Sequence, residues 1–255
     1  MANGINKLKD FIIKGNLLVS KSEENQDKFN EALKDIKELL WRDIFVDTVK
    51  GYSWYHDKSV SLGRWAIGYN YAYVLARVLD EFKPINILEC GLGQSSKIII
   101  DYVFSNKNAF YDIVEQDHDW VDFFVRDFHL NDQVKIHIRN IIEKPCPMQE
   151  GIKSYVYDDF VSVVHGRKYD FISIDGPWGS ERYSRIDIVD HIPSMLHKDF
   201  VIMVDDFERI GEQDMVGLLK EKLNSNGITF FEGKYTGAKD ICVIVSDKWK
   251  FFTTM

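Results

Sequence analysis

The chain has 255 residues, 45% hydrophobic and 28% charged, which allows one large domain or two small ones and rules out a disordered or fibrous composition. Lys and Arg number 32 against 40 Asp and Glu; a net charge of −8 with no basic run disfavours a nucleic-acid partner held through phosphates. Cys90, Cys146 and Cys242 are odd in number and far apart, no apolar run approaches the roughly 18 residues of a membrane span, and the N-terminal apolar stretches are too short for a signal sequence, so the expectation is a cytoplasmic, soluble protein.

In chain order, Phe29, Leu33, Ile36, Leu40 and Ile44 recur three and four apart and predict an amphipathic helix over 25–45. An aromatic, polar stretch at 51–63 reads as loop, and a second helical pattern over 65–82 stops before Pro84. Residues 1–83 are therefore expected to form a helical extension and 84–255 the main domain. Beyond Pro84, strands are expected at 85–90, 110–115, 134–138, 169–175, 200–205, 228–232 and 241–246, with helices at 95–104, 120–128, 186–196 and 214–223. The alternation predicts an α/β fold, a doubly wound and mainly parallel seven-stranded sheet that ends in an antiparallel hairpin. Residues 141–157, broken by Pro145, Pro147 and Gly151, read as a lid or an irregular crossover.

The first strand runs into Glu89-Cys90-Gly91-Leu92-Gly93-Gln94-Ser95-Ser96 and then a helix, which Ser95 is placed to cap. In a doubly wound sheet this turn lies at the carboxyl edge, where ligands bind. A dinucleotide site wants a third glycine where Ser96 stands, and Glu89 would repel a pyrophosphate while suiting a ligand with an ammonium and a sulfonium. Glu115 ends the second strand, about 20 residues on, where a carboxylate can accept both ribose hydroxyls of an adenosine.

Over residues 85–246 the sequence resembles the class I S-adenosylmethionine (SAM)-dependent methyltransferases: the acid-x-Gly-x-Gly turn, the acid ending strand two, an aspartate ending strand four and the terminal hairpin. The resemblance implies a Rossmann-like methyltransferase fold, with Glu89, Gly91, Gly93, Gln94, Ser95 and Asp175 around the methionine end, Glu115 on the ribose and Asn140 beside the adenine. The wording LECGLGQSSK followed by VEQDHDW is similar to a bacterial subgroup that methylates sugars and surface polysaccharides.

Strand four ends at Asp175 and strand five at Asp205-Asp206, and neighbouring strands lie about 4.8 Å apart, so these acids are expected to share one cleft. Three like charges need a cation or a proton, and Mg²⁺ suits hard oxygen ligands. Catechol and macrolide-sugar O-methyltransferases have a similar acid arrangement, which implies Asp175, Asp205 and Asp206 as metal ligands, with Asp175 and Asp206 catalytic. Strand-end acids also form turns, and Asp175-Gly176-Pro177-Trp178 resembles the Asp/Asn-Pro-Pro-aromatic motif of amino methyltransferases with glycine for the first proline. Trp54, Tyr55 and Arg64 before the sheet, and Trp178, Arg182 and Arg185 after strand four, are candidates to hold a saccharide or an acidic group. The expected function is O-methylation of a carbohydrate or sugar-nucleotide hydroxyl, with room for a homo-oligomer. The competing readings are another small-molecule hydroxyl or amine as acceptor, a nicotinamide-dependent oxidoreductase, and a non-catalytic relative.

Overall fold

A computed structural model of the protein describes residues 2–56, 59–127, 130–146 and 148–255, with side chains described from Lys21 onward except at Glu23 and Asp127. Among the described residues nine strands form: β1 (Asn86–Cys90), β2 (Phe110–Glu115), β3 (Val134–Ile138), β4 (Ile141–Pro145), β5 (Lys153–Tyr157), β6 (Tyr169–Ile174), β7 (Leu196–Val204), β8 (Phe230–Tyr235) and β9 (Ile241–Ser246). The helices are α1 (Ala2–Val49), α2 (Tyr69–Arg77), α3 (Gln94–Ser105), α4 (His118–Asp127), α5 (Phe160–Val164) and α6 (Ile210–Ser225).

Seven strands make one sheet in the order β3-β2-β1-β6-β7-β9-β8, parallel except for β9, which runs antiparallel to both β7 and β8. The central strands are apolar on both faces, as a sheet covered on both sides demands. Ile87, Ile113, Phe171 and Met203 point to a core shared with α2 and α3, while Leu88, Val114, Ile172 and Val204 point to one closed by α5 and α6. Phe45, Val49, Trp54 and Tyr71 belong to the first of these cores, so the N-terminal segment packs directly onto the sheet.

The differences from the predicted elements have local causes. The apolar stripe that predicts the first helix faces outward, with Phe29 63% exposed, whereas Glu38, Trp41, Phe45 and Val49 form the face that meets the body. The second helix starts at Tyr69 rather than 65. The 186–196 pattern yields only a short 3-10 helix, Ile186–His191, because Pro193 lacks the N–H that a continuing helix needs. Residues 141–157 contain the antiparallel β4–β5 hairpin. Among the described residues no helix is long and apolar enough to cross a membrane.

Candidate active site

β1 delivers the chain to the carboxyl edge, where Gly91 turns it at φ +99, a backbone that glycine adopts without a side-chain clash. A Cβ on Gly91 would lie 3.1 Å from both the carbonyl carbon of Asp175 and the nitrogen of Gly176, so β1 and β6 meet here backbone to backbone. The other side of the turn is open. A Cβ on Gly93 would meet no heavy atom within 4 Å, which leaves room for a ligand at the start of α3.

Glu89 lies beneath the turn rather than on its rim. Ser96 donates to it at 2.5 Å, Ser173 donates at 3.1 Å and the Tyr111 hydroxyl donates as well. Burial pushes the Glu89 carboxyl up to about 7, although the bonds from Ser96 and Tyr111 lower it. Ser96 also accepts the Gly93 N–H at 2.9 Å, so it, not Ser95, caps α3. The direct grip on a ligand ammonium expected of Glu89 is thus corrected: a fully buried carboxylate with three hydroxyl donors acts on the rim through Ser96.

Glu115 ends β2 beside the turn and ties the two loops together. Its carboxylate accepts the N–H groups of Leu92 at 2.7 Å, Gln116 at 2.7 Å and Asp117 at 2.9 Å. That uses three of about four acceptor positions on a carboxylate that is only 3% exposed. Burial raises its pKa despite these bonds. Trp120 of α4 donates to the Leu92 carbonyl at 2.7 Å and closes the turn from above. Gln94 accepts the Ser61 N–H at 2.9 Å and holds the preceding loop against α3. Asn140, exposed just after β3, accepts the Asp158 N–H through its backbone carbonyl at 2.7 Å and so anchors the β4–β5 insertion next to Glu115.

Asp175, Asp205 and Asp206 do converge, with ligand-type oxygens within 4.8 Å of one another. Their surroundings were not foreseeable from spacing. Arg185 reaches Asp206 at 2.9 Å, Asp175 at 3.2 Å and Glu212 at 3.5 Å; Arg209 reaches Asp206 at 2.8 Å; Lys239 lies 3.3 Å from Asp206 and 3.5 Å from Asp205. Burial pushes Asp205 well up, with Asp175 adding to it, whereas Lys239, Arg185 and Arg209 outweigh burial at Asp206 and hold it below the usual carboxylate range. Asp206 (φ +58) and Arg185 (φ +56) both adopt the left-handed backbone, strain of about 1–3 kcal/mol each concentrated at one site.

The geometry of the cluster does not suit Mg²⁺. Mg²⁺ dehydrates reluctantly and keeps several waters, so it needs an open approach. The Asp205 and Asp206 side chains are 0% and 4% exposed, and the space beside their oxygens is taken by Lys239 and Arg185; only Asp175, at 26%, faces outward. The metal role expected of the three aspartates, and the catalytic role of Asp206, are corrected on this ground.

Four of the side chains expected at the substrate have other partners. Trp54 is buried, donating to Asp80 at 3.0 Å and stacked on Tyr52, and Tyr55 packs against Phe45. Arg182 makes a two-pronged pair with Asp214 of α6 at 2.6 and 2.9 Å, and Arg185 is the internal counter-ion described above. Arg64 and Trp178 (66%) are the exposed ones. Arg64 lines a groove of about 1020 Å³ between α1 and the β8–β9 connection, together with Glu38, Glu208 and Asp240. His197 lies at the opposite, amino edge of the sheet, beside Asn86 at 3.3 Å. Lys239, Arg209 and Glu212 escaped the sequence reading; only Arg209, three residues after Asp206 on the same turn, had a local signal.

Solved methyltransferase structures superpose on this fold. The SAM-bound O-methyltransferase TomG from Streptomyces achromogenes, involved in tomaymycin synthesis, superposes with a TM-score of 0.53 over 82% of this chain and 98% of its own, at 13% identity. The fold is that of the Rossmann-like methyltransferases. The O-methyltransferase from Bacillus cereus in complex with SAH gives 0.52 over 85% and 99% at 12% identity, and the SAH-bound methyltransferase PaMTH1 from Podospora anserina gives 0.50 over 81% and 87% at 13%. No protein-family model matches the chain, and no curated protein matches it in sequence. Gly91, Gly93, Glu115 and Asp175 stand at the carboxyl ends of the parallel strands, the edge where open α/β sheets in general bind ligands.

Proposed function

We propose that the chain is a SAM-dependent O-methyltransferase acting on a hydroxyl of a carbohydrate or sugar nucleotide in the making of a surface polysaccharide. One observation carries the reading: the open glycine turn and the Glu115 carboxylate are joined through the Leu92 N–H into a single rim. When bound there, SAM supplies a methyl group on a sulfonium, open to displacement by an acceptor oxygen.

The chain's own residues then divide the work. Glu115 takes a ribose hydroxyl, and Gly93 lets the ligand approach the α3 backbone closely. Asn140 flanks the adenine at the end of β3. Asp175, half-buried and the most accessible of the three aspartates, holds the acceptor hydroxyl in line and takes its proton; burial raises its pKa, with Arg185 opposing, and a raised pKa makes the carboxylate a better base. Trp178 offers a flat apolar surface to a sugar ring. Magnesium has no place in this scheme.

The acceptor side favours a neutral saccharide over a diphosphate. Arg182 and Arg185, the cations that would meet phosphates, are paired with Asp214, Asp206 and Asp175, and the groove around Arg64 contains Glu38, Glu208 and Asp240. A screen with methyl-labelled SAM against neutral saccharides and their nucleotide-linked forms tests this. Label in the neutral saccharides is the expected outcome; label only in proteins or nucleic acids refutes the reading.

A further inference from the structure

We propose that Lys239, with Arg185, is the resident cation of the cleft: the chain's own ammonium and guanidinium stand where a divalent metal would bind, fix Asp205 and Asp206 in place, and exclude the ion. The inference deepens the methyltransferase reading and rests on it for its catalytic meaning, though not for its test.

Lys239 is built into its position. It arrives from the β8–β9 connection, its backbone carbonyl accepts Asn70 Nδ2 at 2.8 Å, and its Nζ donates to the Trp65 carbonyl at 3.4 Å. Its side chain is only 16% exposed. Burial pulls the ammonium down, but Asp205, Asp206 and Asp175 more than offset this and hold its pKa above the ordinary lysine value. Asp206 meets three cationic groups, while neither oxygen of the enclosed Asp205 has a hydrogen bond, so the Lys239 charge at 3.5 Å is its main compensation.

Charge balance points the same way. Asp175, Asp205, Asp206 and Glu212 face Arg185, Arg209 and Lys239, four carboxylates against three cations. A dication added to this set would overfill it. Remove Lys239, and the fully ionised carboxylates exceed the remaining cations by two, the charge that a divalent ion carries. Lys239 is therefore a positioning residue: it stabilises the strained Asp206 turn and keeps Asp175 as the one acid turned toward the acceptor.

The test uses the full chain and Mn²⁺, whose electron paramagnetic resonance signal is lost on binding to protein. Titration up to about 1 mM, the weak end of natural cation sites, is expected to leave the wild-type signal intact. Lys239→Gln is expected to bind Mn²⁺ about tenfold or more tightly than wild type, Lys239→Arg to restore exclusion, and Asp205→Asn in the Lys239→Gln background to abolish the gained site. Wild-type protein that binds Mn²⁺ and loses it in Asp205→Asn overturns the proposal, as does a folded Lys239→Gln variant with no gain. Should Lys239→Gln fail to fold, the wild-type and Asp205→Asn titrations still decide. SAM binding, followed separately by calorimetry, reports on the methyltransferase reading: its absence would remove that reading and leave the Mn²⁺ result standing.

Discussion

A carboxylate at the end of a central strand can either touch the ligand or hold the turn that does, and Glu89 does the second. Its folded pKa of about 7 lies above the ordinary value of 4.5, so between those values the native state retains a proton that the unfolded chain has released. The stability it contributes is complete below 4.5 and is lost as pH rises toward 7. Asp187, also pushed up to about 7 by burial, adds a slope of the same sign. Glu89→Gln is therefore expected to flatten, without abolishing, the fall in unfolding free energy over this window, measured by urea unfolding at a series of pH values; an unchanged slope would contradict the assignment. Trp54 and Arg182 mark a second residue-level contrast. Trp54→Ala is expected to cost about 3–5 kcal/mol in denaturant unfolding, as a buried aromatic does. Arg182→Ala should leave acceptor KM unchanged, because its guanidinium is already held by Asp214.

Among the elements, β2, β3 and β9 match the sequence reading at both ends, since each is a short, strand-length run bounded by loop residues. The β4–β5 hairpin was illegible because β4 is largely exposed and ends in Pro145, so no period of two marks it. In α1 the period was readable and the covered face was not. An apolar stripe reveals a helix without saying what lies against it, and Trp41, Phe45 and Val49 form a second stripe that wins the contact with α2 and β8. The same limit applies at the site: acids at strand ends are legible because the fold fixes the strand ends, while Lys239 and Arg209 come from loops whose reach depends on tertiary packing. At the turn between β1 and α3, Gly91→Ala combines a left-handed backbone with a Cβ pressed on Asp175 and Gly176. It is expected to cost about 1–3 kcal/mol of stability and to weaken SAM binding in calorimetry; an Ala variant as stable and as tight as wild type would show that the turn is not constrained as described.

At the scale of the molecule, one sheet joins two chemically different places on its carboxyl edge. At one, loops after β1 and β2 form a rim of backbone N–H groups and a buried glutamate. At the other, the loops after β6 and β7, the start of α6 and the β8–β9 connection gather four carboxylates against three cations. Parallel strands bring both to the same side, and β8, running the same way, delivers Lys239 there in its connection to the reversed β9. The central claim is that SAM occupies the rim. Isothermal titration of SAM into the wild-type chain and into Glu115→Ala tests it most directly. Saturable one-to-one binding that weakens by about tenfold or more in the variant, the loss of a charged hydrogen bond, is the predicted result. A folded wild-type protein that takes up no SAM, or a Glu115→Ala variant that binds it equally well, would contradict the account.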